Sequence, residues 1–246
     1  MPQVCVFSKH LQFLRYDELA RTCRDLGLDG VDLTVREGGH VEPADLARDL
    51  PLAVSAVRDV GLDVPMISTR LQTGAEPDAR LILESAAANG IRFVRIDGGE
   101  YRPTGSPLGQ LPEHVAGLKE LARIARDVGV VCGFHNHSGP NRIGSVLWDL
   151  HRMLTDVGSE ALGSNFDFGH ATIVGGLGAW DLHVRLMAPY VKMAAVKDFV
   201  WRGDDAVWVP LGAGIVRSAE LFRVLHEAGF IGPVSLHFEH ELPSRE

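Results

Sequence analysis

Imidazoles and carboxylates stand at the ends of apolar runs in this chain, where such side chains could hold a metal ion or move a proton. His135 and His137 flank an asparagine in CGFHNHSG, residues 132–139. Asp167 lies in SNFDFGH, three residues before His170. Lys197 follows the run VKMAAV, and His237 and Glu239 sit two apart in VSLHFEH. Nitrogen and carboxylate donors of this kind suit Zn, Mn, Fe or Co. A carboxylate, imidazole or amine beside a carbonyl can also take or return a proton. Taken singly, each histidine reads as a solvated loop residue or a hydrogen-bonded strand cap. That His135, Asp167, His237 and Glu239 come from three runs and share one end is what points to a site.

The elements that must position them are short β-like runs alternating with amphipathic helical patterns. Strands are expected near 3–8, 30–35, 63–68, 92–97, 130–135, 161–167, 191–197 and 233–238. Helices are expected near 16–27, 43–60, 77–89, 111–128, 145–156, 178–188 and 217–228. Five helices end on a glycine before the next strand, in DLGLDG, DVGLDV, AANGIRF, DVGVVC and EAGFIG, as left-handed helix exits require. The expected fold is α/β, a (β/α)8 TIM barrel forming a single domain over residues 1–246, with the eighth helix missing. An open doubly wound sheet is the rival, but no Gly-x-Gly-x-x-Gly follows the first strand. The wall at the eighth strand is expected to be covered by a second copy, making a homo-oligomer, or by the loop 201–211 with Trp201 and Trp208.

In such barrels the chemistry gathers at the C-terminal strand ends, and inward and outward residues alternate. Parity turns His135 and His137 inward and Phe134 outward. It puts Asp167, Lys197, His237 and Glu239 inward, with Asp32, Thr34 and Arg36 on one face of the second strand. The first strand ends at Ser8, Lys9 and His10. Arg36, Arg95 and Lys9 could grip a phosphate, or form ordinary salt bridges at the barrel mouth. His114, His151, His183 and His226 fall in helical stretches and read as structural.

Composition narrows the function classes. Of 246 residues 46% are hydrophobic and 23% charged, enough for a sizeable core, and the net charge is −8. That balance argues against a nucleic-acid partner, which calls for a basic face. No run is long and apolar enough to span a membrane, and the N-terminus lacks a secretory pattern, so a cytoplasmic location is expected. Cys5, Cys23 and Cys132 form no Cys-x-x-Cys pair and are expected to be reduced and buried.

Over nearly its whole length the chain resembles the xylose isomerase-like TIM barrel superfamily, the sugar phosphate isomerase/epimerase family. LGLDGVDL, HNH, DFGH, VKD, PLGAGIV and GFIGPVSLHFE carry the resemblance. Epimerases of this family hold one divalent ion with Glu, Asp, His and Glu from strands five to eight, and the two glutamates shuttle the proton. Carried over, the aspartate is kept as Asp167 and the substrate-contacting histidine as His170. His135 and His237 stand where the glutamates would be, and Ala195 where the histidine would be. A two-glutamate shuttle therefore cannot operate here. His135, Asp167 and His237 would instead make a two-histidine, one-carboxylate metal set for Mn, Co, Zn or Fe. A histidine in a comparable strand-five motif also occurs in proteins resembling inosose dehydratase. Apurinic endonucleases share the fold but use a richer three-zinc cluster, which the missing ligands and the acidic charge oppose.

The resemblance implies a metal-dependent enzyme that abstracts a proton next to the carbonyl of a sugar or keto-sugar, an isomerase or epimerase. Glu239, Lys197 and His170 are the expected proton carriers. His137, Arg36, His10 and Trp201 are the expected substrate contacts. Elimination of water or of a glycosyl group by a related lyase is the alternative. A non-catalytic barrel that binds sugar or serves as a partner is the third reading.

Overall fold

Short runs rich in apolar residues and bounded by turns form strands buried on both faces, the pattern of a parallel sheet covered by helices. A computed structural model describes residues 2–240. The barrel strands are β1 (Val4–Phe7), β2 (Gly30–Thr34), β3 (Asp63–Ser68), β4 (Phe93–Ile96), β5 (Val131–His135), β6 (Leu162–Asp167), β7 (Val191–Val196) and β10 (Val234–Leu236). They close in the order β1-β10-β7-β6-β5-β4-β3-β2, all neighbours parallel. The (β/α)8 expectation is met.

The outer helices are α1 (Tyr16–Asp25), α2 (Leu46–Arg58), α3 (Ala79–Ala88), α4 (Pro107–Val128), α5 (Trp148–Val157), α6 (Phe168–Gly175), α7 (Trp180–Met187) and α8 (Ser218–Glu227). Two of them, α6 and α7, lie between β6 and β7, and no helix follows β10 among the described residues. Helix α4 begins at Pro107 rather than near 111, because Pro107 takes the first helical position, where its missing N–H costs nothing. It ends at Gly129 with φ of 82°, the left-handed exit the sequence implied. The stretch read as a loop at 201–211 belongs largely to an antiparallel hairpin, β8 (Asp198–Arg202) and β9 (Asp205–Val209).

Two apolar layers result. The main core lies between strands and helices, with Phe134 and Phe166 fully packed there. Cys5, Met66 and Met193 fill the barrel interior. Met193 fits because β5 has Gly133 opposite it, where a Cβ would collide with the Met193 methyl. Above that plug the interior turns polar: Asp32 accepts hydrogen bonds from Ser68 (2.8 Å) and Ser235 (2.7 Å). Among the described residues no helix is long and apolar enough to cross a membrane.

Candidate active site

The C-terminal strand ends converge on a cavity of about 300 Å³. Strand β5 delivers His135, β6 Asp167, β7 Lys197 and β10 His237, all buried, and Glu239 follows at the rim. In register, Ala195 stands beside Asp167 and Ser235, so β7 supplies no donor at that level. One residue on, Lys197 brings its ammonium instead. A larger hollow of about 560 Å³ opens at the other end of the barrel, where Lys192 pairs with Glu160 at 2.7 Å. Barrel chemistry belongs to the C-terminal end.

Asn136, the middle residue of HNH, ties β5 to β6. Its Oδ1 accepts the Asp167 N–H at 2.8 Å, and its Nδ2 donates to the Asp167 carbonyl at 3.2 Å. Asp167 in turn caps α6, its Oδ1 accepting the His170 N–H at 2.7 Å. His170 thus sits in the first turn of a helix rather than in a loop. Lys197 Nζ lies 2.7 Å from His170 Nε2, 3.2 Å from Asp167 Oδ2 and 3.7 Å from Glu239 Oε1. The hairpin folds Trp208 over this group, 4.6 Å from Lys197 Nζ to the ring centre and edge-on to His170 at 5.4 Å.

Burial, helped by the nearby charges of Arg95 and Lys197, holds His135, His170 and His237 well below the usual imidazole range. His137 is pushed down to about 3 by burial and then by Arg95. All four are neutral, the state that ligates metal or accepts a proton. Asp97 stands 3.6 Å from His137 Nδ1. Asp97 is held below the usual carboxylate range although burial works against its charge; the Arg95 guanidinium and the Gly98 N–H favour the carboxylate.

The residues fit a divalent ion. His135 Nδ1, Asp167 Oδ2 and His237 Nε2 are buried without a hydrogen-bond partner, so each of the three expected ligands keeps a free donor atom. The Lys197 ammonium is close to Asp167 Oδ2 but lacks hydrogen-bond geometry to it. Among the described residues, His135, His137 and His170 are the three whose ligand atoms all lie within 4.8 Å of one another; the expected set of His135, Asp167 and His237 is not gathered so closely. His170 is the weaker donor there, since both its nitrogens are engaged.

Of the expected substrate contacts, His137 and Arg36 line the cavity. His10 lies behind His237, with ring centres 6.2 Å apart, outside the lining. Trp201 is 44% exposed on the hairpin, nearer its turn than Trp208 and beyond the cavity; Trp208 lines the wall instead. Sequence reasoning missed Phe7, Arg70, Asp97 and Arg142, which also line it. Asp97 had a usable signal, its shared parity with Arg95 in RIDGG; Arg70 and Arg142 lie past strand ends, where parity fails.

The sequence profile of the xylose isomerase-like TIM barrel family matches residues 20–246. No curated protein matches the chain. Among solved structures, a xylose isomerase-like TIM barrel protein from Mycobacterium smegmatis in complex with magnesium superposes with a TM-score of 0.78 at 16% identity, covering 98% of this chain and 91% of that one. The 3-keto-D-glucoside 4-epimerase YcjR of E. coli gives 0.76 at 14% identity, over 99% and 94% of the two chains. The probable 3-DHS dehydratase AsbF of Bacillus anthracis gives 0.78 at 16% identity, over 98% and 94%. At these identities the likeness is one of fold.

Proposed function

Because the chain belongs to the xylose isomerase-like TIM barrel family, we propose that it is a metal-dependent isomerase or epimerase acting on a sugar or keto-sugar. The observation that carries this reading is the contact of one buried ammonium, Lys197, with His170 and Glu239 at the cavity wall. Glu239, a quarter exposed, is the accessible carboxylate and takes the proton from the carbon next to the carbonyl. Lys197 donates a hydrogen bond to the enediolate oxygen and helps hold its charge. His170 keeps the ammonium aimed, and Trp208 excludes water above it. His135, Asp167 and His237 would hold one divalent ion, Mn, Co, Zn or Fe, which polarises the carbonyl when bound.

The same wall supports elimination as a second reading. Glu239 and Lys197 lie 3.7 Å apart, so a base and an acid meet one face of a substrate. That suits removal of a proton and protonation of a neighbouring hydroxyl as it leaves. NMR of keto-sugars and keto-glycosides in heavy water tests both. Deuterium entering next to the carbonyl with the carbon chain intact supports isomerisation or epimerisation; loss of water or glycoside supports elimination. No exchange in metal-loaded protein across such a panel would refute the enzymatic reading.

A further inference from the structure

The cavity has more cations than its carboxylates can pair. Lys9, Arg36, Arg70, Arg95, Arg142 and Lys197 line it, against Asp97 and Glu239. Glu239 is engaged by Lys197 and Asp97 by His137, while Arg142 turns to Glu100 at 3.5 Å. Among the described residues, Arg36, Arg70 and Arg95 have no carboxylate within ion-pair distance. Arg95 is only 4% exposed, and its Nε and Nη1 are buried without any partner. A buried guanidinium with unused donors costs free energy unless something else supplies the acceptors.

What holds these groups is an aromatic face rather than an acid. Arg36 and Arg95 lie over the Phe7 ring, 5.2 Å and 5.6 Å from its centre, which orients the planar forks and leaves their N–H groups unspent. Arg36 is pushed down to about 10 by burial and then by its neighbours Arg95 and Arg70, so the three repel one another. Asp97 and Asp32 face Arg95 and offset part of this charge, but neither pairs with it directly.

The placement is directional. Arg36 follows β2, Arg70 follows β3 and Arg95 is on β4, three adjacent strands. In the closed order these stand opposite β6, β7 and β10, which carry His170, Lys197 and Glu239 onto the other wall. We propose that the substrate is an anion, a sugar bearing a carboxylate or phosphate, whose oxyanion is gripped by Arg36, Arg70 and Arg95 while its carbonyl end faces Lys197 and Glu239. This rests on the sugar-converting reading above for the identity of the carbonyl end only. Guanidinium forks match carboxylate and phosphate oxygens alike.

Calorimetric binding to the full chain tests this without requiring turnover. Ribulose 5-phosphate and glucuronate are compared with ribulose, and inorganic phosphate is used as competitor. At least one anionic sugar should bind about tenfold or more tighter than ribulose, about 1.4 kcal/mol. The exposed Arg70→Met and the double variant Arg36→Met/Arg70→Met, each checked for folding by circular dichroism, should lose most of that preference, the affinity for the anionic sugar falling toward that for ribulose. Preference for ribulose 5-phosphate with displacement by inorganic phosphate assigns a phosphate; preference for glucuronate assigns a carboxylate. Equal binding of charged and neutral sugars, or a preference that survives in the folded double variant, overturns the proposal. Anion preference without deuterium exchange would leave the clamp standing and remove the enzymatic reading; exchange on neutral sugars without anion preference would do the reverse.

Discussion

Lys197 Nζ stands 2.7 Å from His170 Nε2, and this contact sets the tautomer of the ring. An ammonium has only donors, so Nε2 accepts and Nδ1 carries the proton, donating to Ser138 Oγ at 2.8 Å. His170 is thereby a fixed acceptor that orients Lys197, and the amine is the movable partner. Lys197→Met keeps the bulk and removes the amine. Turnover is expected to fall about a hundredfold or more, the scale of general acid–base contributions. Metal content should be kept or rise, because the cation nearest Asp167 Oδ2 at 3.2 Å has gone. Normal turnover with a much lower melting temperature would make Lys197 a structural ion-pair residue.

Protein loaded with Mn, Co or Zn should hold about one ion beside His135, Asp167 and His237, located by anomalous diffraction. The free Nε2 of His237 predicts that His237→Ala weakens the ion's hold at least about tenfold, since even loss of an outer partner costs that much. Elemental analysis after dialysis reads this directly. Unchanged ion content in His237→Ala would move the centre to His135, His137 and His170, whose ligand atoms converge within 4.8 Å.

Burial pushes the Cys23 thiol up to about 11 and that of Cys132 up to about 12, and raises Cys5 well above its ordinary value. The thiolate is the reactive form, so at pH 8 on the order of one in a thousand or fewer would be available. Ellman's reagent should find essentially no reactive thiol in the native protein and all three after guanidinium unfolding. A thiol that labels at once in native protein would mean that its strand or helix opens readily.

The barrel was legible because its signals are local. The third strand expected at 63–68 is β3 to the residue, and Gly27, Gly61, Gly90, Gly129 and Gly229 all have positive φ, as the helix exits required. Parity found His135, Asp167, Lys197 and His237 because those residues still belong to strands or directly follow them. It failed where local signals overlapped. Asp167 ends a strand and caps α6 at once, so the helix was hidden in DFGH. Gly203 and Asp204 form a two-residue turn between paired strands, a hairpin signal. The clamp's third member, Arg70, lies in a loop whose direction depends on packing that no periodicity encodes.

The hairpin that carries Trp208 to Lys197 is held by Asp198, and this makes the lid testable apart from the chemistry. Asp198 follows Lys197 directly, yet its carboxylate turns away from the cavity. Oδ1 accepts the N–H groups of Phe199 (2.9 Å) and Val216 (3.0 Å), and Oδ2 those of Gly212 (3.1 Å) and Gly214 (2.9 Å). Four backbone donors thus depend on one buried acid. Asp198→Asn keeps one acceptor oxygen and sets an NH2 donor against two of those donors. At about 1.5–3 kcal/mol for each bond to a charged group, the variant should lose about 3 kcal/mol or more. For a domain of this size that lowers the melting temperature by about 6–12 °C. Freed from its anchor, the segment should let Trp208 leave Lys197, so tryptophan emission shifts to the red and KM rises more than kcat falls. Because Asp198 touches neither Lys197's amine nor the expected ligands, metal content should not change. A variant with wild-type melting and emission but lost turnover would place Asp198 in the chemistry and remove its role as the lid's anchor.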